Sequence, residues 1–450
     1  MSKRNLKRDS PEIEETTESV DTAVKRTRTE NGHLQRTPLL RRKASSFIND
    51  LPDTQSTIGK VFVFGSGDTG QLGLGDEMLT RKRPMPLKVL DDKEIVDVAC
   101  GGMHSIALTK SGQLWSWGCN DQRALGRSGE EYEPGLVENL DEVHVVKVVC
   151  GDSVSVALSS EGHVYSWGTY RNAEGVLGFS PDVGVQSVPA LFEPLQKYTI
   201  VDIAAGTDHC LALTNTGRVL VWGNGQQGQL GRRVIERRKR NALVPVSMAL
   251  RNIKAIGSGS YHSFALSHDN DLYVWGLNNF QQCGLLTKET PTAPNTVNVP
   301  TIIRGLKGKG PIKSVTAGEH HSLVLLENGD IYGFGRADSS QIGLPQSMID
   351  ELHTHEEGQD TSQFKRAIGY PTKIPAISKV RQVSSGSNHA IAVTTQGKAY
   401  TWGFGEMYAL GNGSDEDEAV PTELTGQKLE GHQVLRAAAG AQHTIILATL

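Results

Sequence analysis

The chain has 450 residues, 49 of them glycine, and a formal net charge of -4. Its apolar residues fall in short runs, with nothing near the ~18 consecutive positions of a membrane span. The amino terminus is charged from the start and shows no apolar core of a secretory signal, so neither membrane insertion nor secretion is expected.

Residues 1–59 are rich in Lys, Arg, Ser, Thr and acids and poor in aromatics, the composition of a disordered segment. Three basic clusters punctuate it: Lys3, Arg4, Lys7 and Arg8; then Lys25, Arg26 and Arg28; then Arg41 to Lys43. An acidic run from Asp9 to Asp21 separates the first two. The residues allow two readings, a merely solvated tail, or a nuclear import signal that doubles as an arm for nucleic-acid phosphate.

From residue 60 onward the chain repeats itself. A short alternating strand ends in Phe-Gly or Trp-Gly seven times, at Phe64, Trp117, Trp167, Trp222, Trp275, Phe334 and Trp402, with intervals of 53, 50, 55, 53, 59 and 68 residues. A second element accompanies it, as in IVDVACGGMHSIALTKSGQ (Ile95 to Gln113) and IVDIAAGTDHCLALTNTGR (Ile200 to Arg218). Each copy reads as strand, Gly-rich turn, strand, tight turn, aromatic-Gly strand. A four-stranded antiparallel unit of this length is a propeller blade, and radial repetition protects strand edges.

The expected fold is therefore all-β, a seven-bladed β-propeller over 60–450. The first aromatic-Gly strand lacks the upstream element, while the last upstream element, Val434 to Leu450, has no aromatic-Gly strand after it. The two halves complete one blade, so the ring closes from both chain ends. A ring that closes its own edges predicts a monomer.

Two segments, GSGDTG (Gly65 to Gly70) and GNGQQG (Gly223 to Gly228), fit the dinucleotide fingerprint GxGxxG. That motif works only when it opens a helix whose N-terminus holds the pyrophosphate. No helix-length apolar periodicity follows either segment, so they are read as blade loops and no cofactor is expected.

The five cysteines, Cys100, Cys119, Cys150, Cys210 and Cys283, form no CxxC pair and sit in hydrophobic contexts, which reads as reduced, buried thiols of an intracellular protein. No Ser-His-Asp order, HExxH or Cys/His metal spacing appears, which argues against a hydrolase or metalloenzyme. Histidines recur three residues after a glycine at His104, His209, His262, His321, His389 and His443, with Val154 in the second unit. Regular recurrence argues for scaffold, whereas departure from the repeat argues for function. The departures in these loops are Asp152, Asp208 and the pair Glu319-His320, with Asp68 in the first aromatic-Gly loop. Together they form an acidic surface suited to a basic partner.

Two further loops depart from the repeat. TYRNAEGVLGFSPDVG (Thr169 to Gly184) is extended and reads as a hairpin with Arg171 near its tip. RRVIERRKR (Arg232 to Arg240) carries six basic residues against Glu236, a run that is either a solvated face or a site for an anionic partner.

The repeats, together with GCNDQRALGR (Gly118 to Arg127), SWGTYRNAEGVLG (Ser166 to Gly178), AGEHHS (Ala317 to Ser322) and the basic tail, resemble the regulator of chromosome condensation family. The resemblance covers residues 60–450. It implies a nuclear, chromatin-associated guanine nucleotide exchange factor for the small GTPase Ran, acting without covalent chemistry and supporting nuclear transport and mitosis. Asp208, His320, Asp152 and Arg171 are then the residues that drive exchange. Further Ran contacts are carried to Asp68, His104, Arg232, Arg251 and His443. Tyr170, Asn172, Glu174, Gly175 and Val176 belong to a wedge spanning Tyr170 to Gly178.

Chromatin contacts, to histones and DNA, are carried to the tail residues Lys3, Arg4, Lys7, Arg8, Lys25, Arg26 and Arg28. In the basic loop they fall on Arg233, Arg237, Arg238, Lys239 and Arg240. The tail is also expected to engage an importin. Gln281 departs from the family, which has histidine there. From the residues alone a non-catalytic chromatin- or protein-binding scaffold stands beside this reading, and the tract from Pro345 to Pro371 has no assignment.

Overall fold

The computed structural model describes residues 47–353 and 366–450. The basic clusters at Lys3 to Arg8, Lys25 to Arg28 and Arg41 to Lys43, and the HTHEEGQD stretch from Thr354 onward, lie outside the described residues.

Seven four-stranded antiparallel sheets follow one another around a central channel, each running from an innermost strand to an outer one. Blade 1 begins with Ile95–Cys100, blade 2 with Val145–Cys150, blade 3 with Ile200–Ala205 and blade 4 with Ile253–Ser258. Blade 5 begins with Ile312–Ala317 and blade 6 with Val380–Ser385. Blade 7 is composite: Val434–Ala439 and His443–Ala448 from the carboxyl end are joined by Lys60–Ser66 and Thr80–Pro86 from the amino end. Val61 pairs with Leu447 and Val63 with Ile445, so the closure expected from the complementary half-repeats is observed.

The topology assigns loops to faces. In each blade the Gly-rich turn between the first and second strands, and the long loop after the third strand, emerge on one face, here called the loop face. The hairpin turn between the second and third strands emerges on the other.

The aromatic-Gly signature has a steric cause. Gly223 ends the third strand of blade 3 at φ +113°, and a Cβ there would lie 2.5 Å from the Asp208 carbonyl oxygen on the neighbouring strand. Gly118 in blade 1, at φ +104°, meets the Met103 carbonyl in the same way. Only glycine combines that conformation with that approach. The tryptophan before it is fully buried and binds the preceding blade: Trp117 Nε1 donates to the Gln71 carbonyl at 2.9 Å and Trp275 to that of Gln229 at 2.9 Å.

The recurrent histidines are a second set of inter-blade staples. His104 Nε2 meets Ser155 Oγ at 2.9 Å, and His443 Nε2 meets Ser105 Oγ at 2.9 Å. His209, His262 and His389 reach Ser263, Ser322 and Thr444 in the same manner. Both exceptions are paired across the blade boundary. Where blade 3 carries Cys210 at the hydroxyl position, blade 2 carries Val154 in place of histidine. Where blade 6 carries Ala390, the facing His321 has no protein partner at either ring nitrogen.

Two features depart from the sequence reading. Residues 47–59, assigned to the tail, pack across the hairpin face instead. The Ile48 amide donates to the Asn215 carbonyl at 2.9 Å and Asn49 Nδ2 to the Ile253 carbonyl at 2.9 Å, whereas the Gly59 amide reaches the Ile95 carbonyl at 3.0 Å. Ile48 docks beside Gly217, so short apolar side chains in a polar stretch suffice to pin it. The unassigned tract of blade 5 contains a helix, Gln346–His353, anchored by the buried Ile349. Neither GxGxxG segment opens a helix at its third glycine, as expected.

Candidate functional site

The Gly-rich turns of successive blades are linked by main-chain hydrogen bonds around the channel mouth. The Asp152 amide donates to the Thr207 carbonyl at 2.9 Å, Thr207 to Ser260 at 3.2 Å, Ser260 to Gly318 at 3.0 Å and Glu319 to Ser387 at 3.0 Å. This ring sets the spacing of the side chains that depart from the repeat: Asp152 on blade 2, Asp208 on blade 3, Tyr261 on blade 4, and Glu319 with His320 on blade 5.

The acids are close enough to feel one another. Burial raises the Asp208 carboxyl to about 7, with the Asp152 charge adding to the rise and Arg171 opposing it. Burial also raises Asp152, again against Arg171. Tyr261 is raised by burial and then by Glu319, Asp208 and Asp152, which places all three carboxylates around one phenol. The Asp152 carboxylate lies over Gly102, in the space that a Cβ would need. Desolvated carboxylates held together are poised to receive cationic side chains, because pairing relieves both burial and mutual repulsion.

The extended loop of blade 2 is a hairpin, Tyr170–Asn172 paired with Gly175–Gly178, as expected for the wedge. Tyr170 is its root. The ring is fully buried, and its hydroxyl accepts a 2.6 Å bond from Trp222 Nε1 of blade 3. Next to it, the Arg171 amide donates to Asp208 Oδ1 at 2.6 Å. At the tip Gly175 adopts φ +117° and Val176 is 48 % exposed. Asn172 Oδ1 accepts from the Glu174 amide at 3.0 Å. The wedge therefore stands on buried aromatic packing and one carboxylate, with an apolar tip in solvent.

The basic loop of blade 3 emerges on the same face. Its Lys239 pairs with Glu174 of the wedge at 2.5 Å and with Glu236 at 3.0 Å. Arg233, Arg237, Arg238 and Arg240 are exposed. Arg232 behaves differently: burial lowers its basicity, and its Nε and one terminal nitrogen have no hydrogen-bond partner. A guanidinium desolvated without an acceptor is a site prepared for one. Asp68 is exposed on the loop face, where its carbonyl accepts weakly from Tyr132 Oη at 3.4 Å.

The structure corrects four of the expected contacts. His104 and His443 are 1 % and 0 % exposed and occupied as blade staples, so neither imidazole reaches a partner. Tyr170 acts from beneath the wedge rather than on its surface. Arg251 lies between the outer strand of blade 3 and Ile253, which is on the hairpin face, and its guanidinium caps the Met248 and Leu250 carbonyls at 3.0 and 2.7 Å. It is on the face opposite the acidic side chains.

Other side chains complete the site without having been singled out by sequence. Phe280 packs against His320 with ring centroids 4.6 Å apart, and Arg336 lies over the Phe280 ring at 5.0 Å while bonding Asp338 at 2.6 Å. Tyr261 stands 6.5 Å from the His320 ring. Gln282, fully buried, reaches His320 Nδ1 at 3.3 Å. Their one sequence signal was position in loops already known to share a face.

The described residues thus form a closed seven-bladed propeller whose loop face carries a cluster of acids and a projecting hairpin. The chain belongs to the RCC1-like domain family, whose model matches residues 60–446. Among similar proteins, the guanine nucleotide exchange factor SRM1 of Saccharomyces cerevisiae is 37% identical, the match covering 86% of this chain and 86% of the relative. The human regulator of chromosome condensation is 34% identical over 86% of this chain and 90% of its own length. The crystal structure of Prp20p from Saccharomyces cerevisiae, described with its binding to Gsp1p and histones, superimposes with a TM-score of 0.82 at 38% identity, covering 88% of this chain and 92% of that one. The structure of Kap60 bound to yeast RCC1 (Prp20) gives 0.84 at 37% identity over 95% and 96%.

Proposed function

We propose that the protein is a guanine nucleotide exchange factor for the small GTPase Ran, acting in the nucleus on chromatin. The observation that carries this is the coupling of wedge to acid: Asp208, desolvated beside Asp152, holds the wedge by the Arg171 main chain. A scaffold that merely recruits partners needs neither element.

The mechanism follows from linkage. A partner that binds nucleotide-free Ran more tightly than nucleotide-bound Ran is itself displaced by nucleotide, and accelerates release of GDP and GTP alike. Asp152, Asp208 and Glu319 receive basic side chains of the GTPase, supplying electrostatic complementarity and fast encounter. The wedge, with Val176 at its apolar tip, then occupies space beside the nucleotide phosphates and their Mg²⁺, which belong to Ran. Arg232 offers its unpaired guanidinium to an acceptor on Ran. No bond is made or broken, so the surrounding nucleotide ratio sets the direction.

Chromatin docking rests on the exposed arginines Arg233, Arg237, Arg238 and Arg240 and on the tail. The arginines suit an acidic histone surface, and the tail suits DNA phosphate and an importin. Phosphate contacts imply binding that weakens steeply with salt. These roles couple Ran loading to chromosomes, and thereby to nuclear transport and mitosis.

The deciding experiment follows release of a fluorescent guanine nucleotide from purified Ran in excess unlabelled nucleotide and Mg²⁺. The wild-type chain accelerates release and Asp208→Ala, folded by circular dichroism, does not. No acceleration by folded wild type leaves a chromatin-binding propeller without exchange activity.

A further inference from the structure

We infer that Gln282 is a positioning residue that fixes the tautomer of His320, so that the imidazole presents Nε2–H as a hydrogen-bond donor on the loop face. The inference rests on the reading above for its biological meaning, because the partner that meets this donor is the GTPase.

The Gln282 amide cannot flip. Gln282 Oε1 accepts from the Phe280 main-chain N–H at 2.9 Å. That backbone group can only donate, so the other end of the side chain must be the NH₂. It donates to Asn279 Oδ1 at 3.1 Å and faces His320 Nδ1 at 3.3 Å. Against an NH₂ group, Nδ1 must carry the lone pair. The ring proton therefore sits on Nε2, the atom 3.5 Å from Glu319 Oε1. That contact is at the long limit of a hydrogen bond and is readily exchanged for a closer acceptor.

The repeat supports this independently. In three other loops the equivalent glutamine makes the same return bond: Gln71 Oε1 to the Thr69 amide at 2.9 Å, Gln229 to Gln227 at 2.8 Å and Gln341 to Ser339 at 3.0 Å. Gln341 Nε2 then points to Asn388 Oδ1 at 3.5 Å, and Asn388 directly precedes the staple His389. His320 directly precedes His321, which occupies the staple position in blade 5. The amide orientation is thus a property of the scaffold, and blade 5 has placed an imidazole where that fixed NH₂ arrives.

The surroundings of His320 lower its basicity on balance. Burial lowers its basicity, Glu319 opposes this, and Arg336 lowers it further while Asp338 raises it. Phe280 and Tyr261 cover the ring from blade 4. An Nε2–H donor beside Glu319 selects an acceptor on the partner, a carbonyl or carboxylate oxygen, on a face whose acids select cations. His320 therefore adds a directional contact that the acids cannot make.

The test uses the full chain labelled with ¹⁵N-histidine, the His320 signals being assigned by their loss in His320→Asn. Long-range ¹H–¹⁵N correlation at pH 8 is expected to show protonated Nε2 and unprotonated Nδ1. In Gln282→Leu, which removes the NH₂ at similar volume, the signature moves toward a mixture of tautomers, and kcat/KM for nucleotide release falls about threefold to tenfold. In Gln282→Glu, whose carboxylate accepts from Nδ1–H, the His320 titration moves upward and the acid limb of the exchange profile follows it. A wild-type Nδ1–H tautomer, or an unchanged His320 signature in Gln282→Leu, overturns the inference. Should Gln282→Glu fail to fold, the leucine variant decides. Wild type with the expected tautomer but no exchange activity would sink the proposed function and leave the tautomer assignment standing.

Discussion

Asp208 holds Arg171 by its main chain: the carboxylate oxygen accepts the Arg171 amide proton at 2.6 Å, while the Arg171 charge opposes the rise of the Asp208 and Asp152 carboxyls. One carboxylate thereby does two jobs, as acceptor for the wedge and as charge for the partner, and substitutions can separate them.

Asp208→Asn keeps an acceptor oxygen and loses the charge, whereas Asp208→Ala loses both. Truncation at a central anchor costs about 2–4 kcal/mol, a fall of roughly 30- to 1,000-fold in kcat/KM. The asparagine variant is expected to retain wedge order and lose about tenfold. Nucleotide-release kinetics and crystal structures of both variants check this. Equal losses would mean that charge alone matters.

The same carboxyl predicts a pH effect on stability. Its folded value is raised from 3.8 to about 7, so the folded state holds the proton more tightly than the unfolded chain does. Stability from this group is full below about pH 4 and is lost as pH rises toward and through 7. Asp208→Asn is therefore more stable than wild type at pH 8, by about 1–2 kcal/mol after discount for partial solvation, with no difference near pH 4. Urea denaturation at the two pH values measures it. A deficit at pH 8 would refute the desolvation argument.

Arg232 has been buried without an acceptor, so removing it is expected to cost the isolated protein nothing. Arg232→Met leaves the melting temperature unchanged or raises it, while KM for the GTPase rises, since the missing acceptor is on the partner. Thermal melts and exchange kinetics on one preparation separate the two effects.

The orphan His321 faces Ala390. Ala390→Ser supplies the hydroxyl used by the other staples, and a gain of about 0.5–1.5 kcal/mol is expected, seen as a raised unfolding midpoint without change in exchange. The converse substitution, Ser322→Ala, orphans His262 and costs about 1–3 kcal/mol.

Removing Arg436–Leu450 deletes the strand His443–Ala448, which pairs with Val61 and Val63, together with most of its other partner strand, Val434–Ala439. Loss of the whole cooperative transition is expected, because the ring is left open at blade 7. A truncated chain that melts like wild type would show that the other six blades stand alone.

Fold and site differed in how far they could be read from the chain. The aromatic-Gly spacing, the glycine-to-histidine turns and the complementary half-repeats at Val61 and Val434 are local patterns with one steric solution, so they determined the propeller and its closure. They also determined which loops share a face, because antiparallel strands alternate direction, and this placed the turns of Asp152, Asp208 and His320 on one side of the ring. What the tertiary structure decided was how each side chain is used. His104, His443 and His320 were all carried over as contacts, yet the first two are sealed between blades and the third is lined by Phe280 and Gln282 from the neighbouring blade. Arg251 matched by position and lies on the opposite face. Residues 47–59 read as tail and lie pinned across the hairpin turns. Burial, partner and direction arise from contacts between blades some 50 residues apart, and no local pattern encodes them.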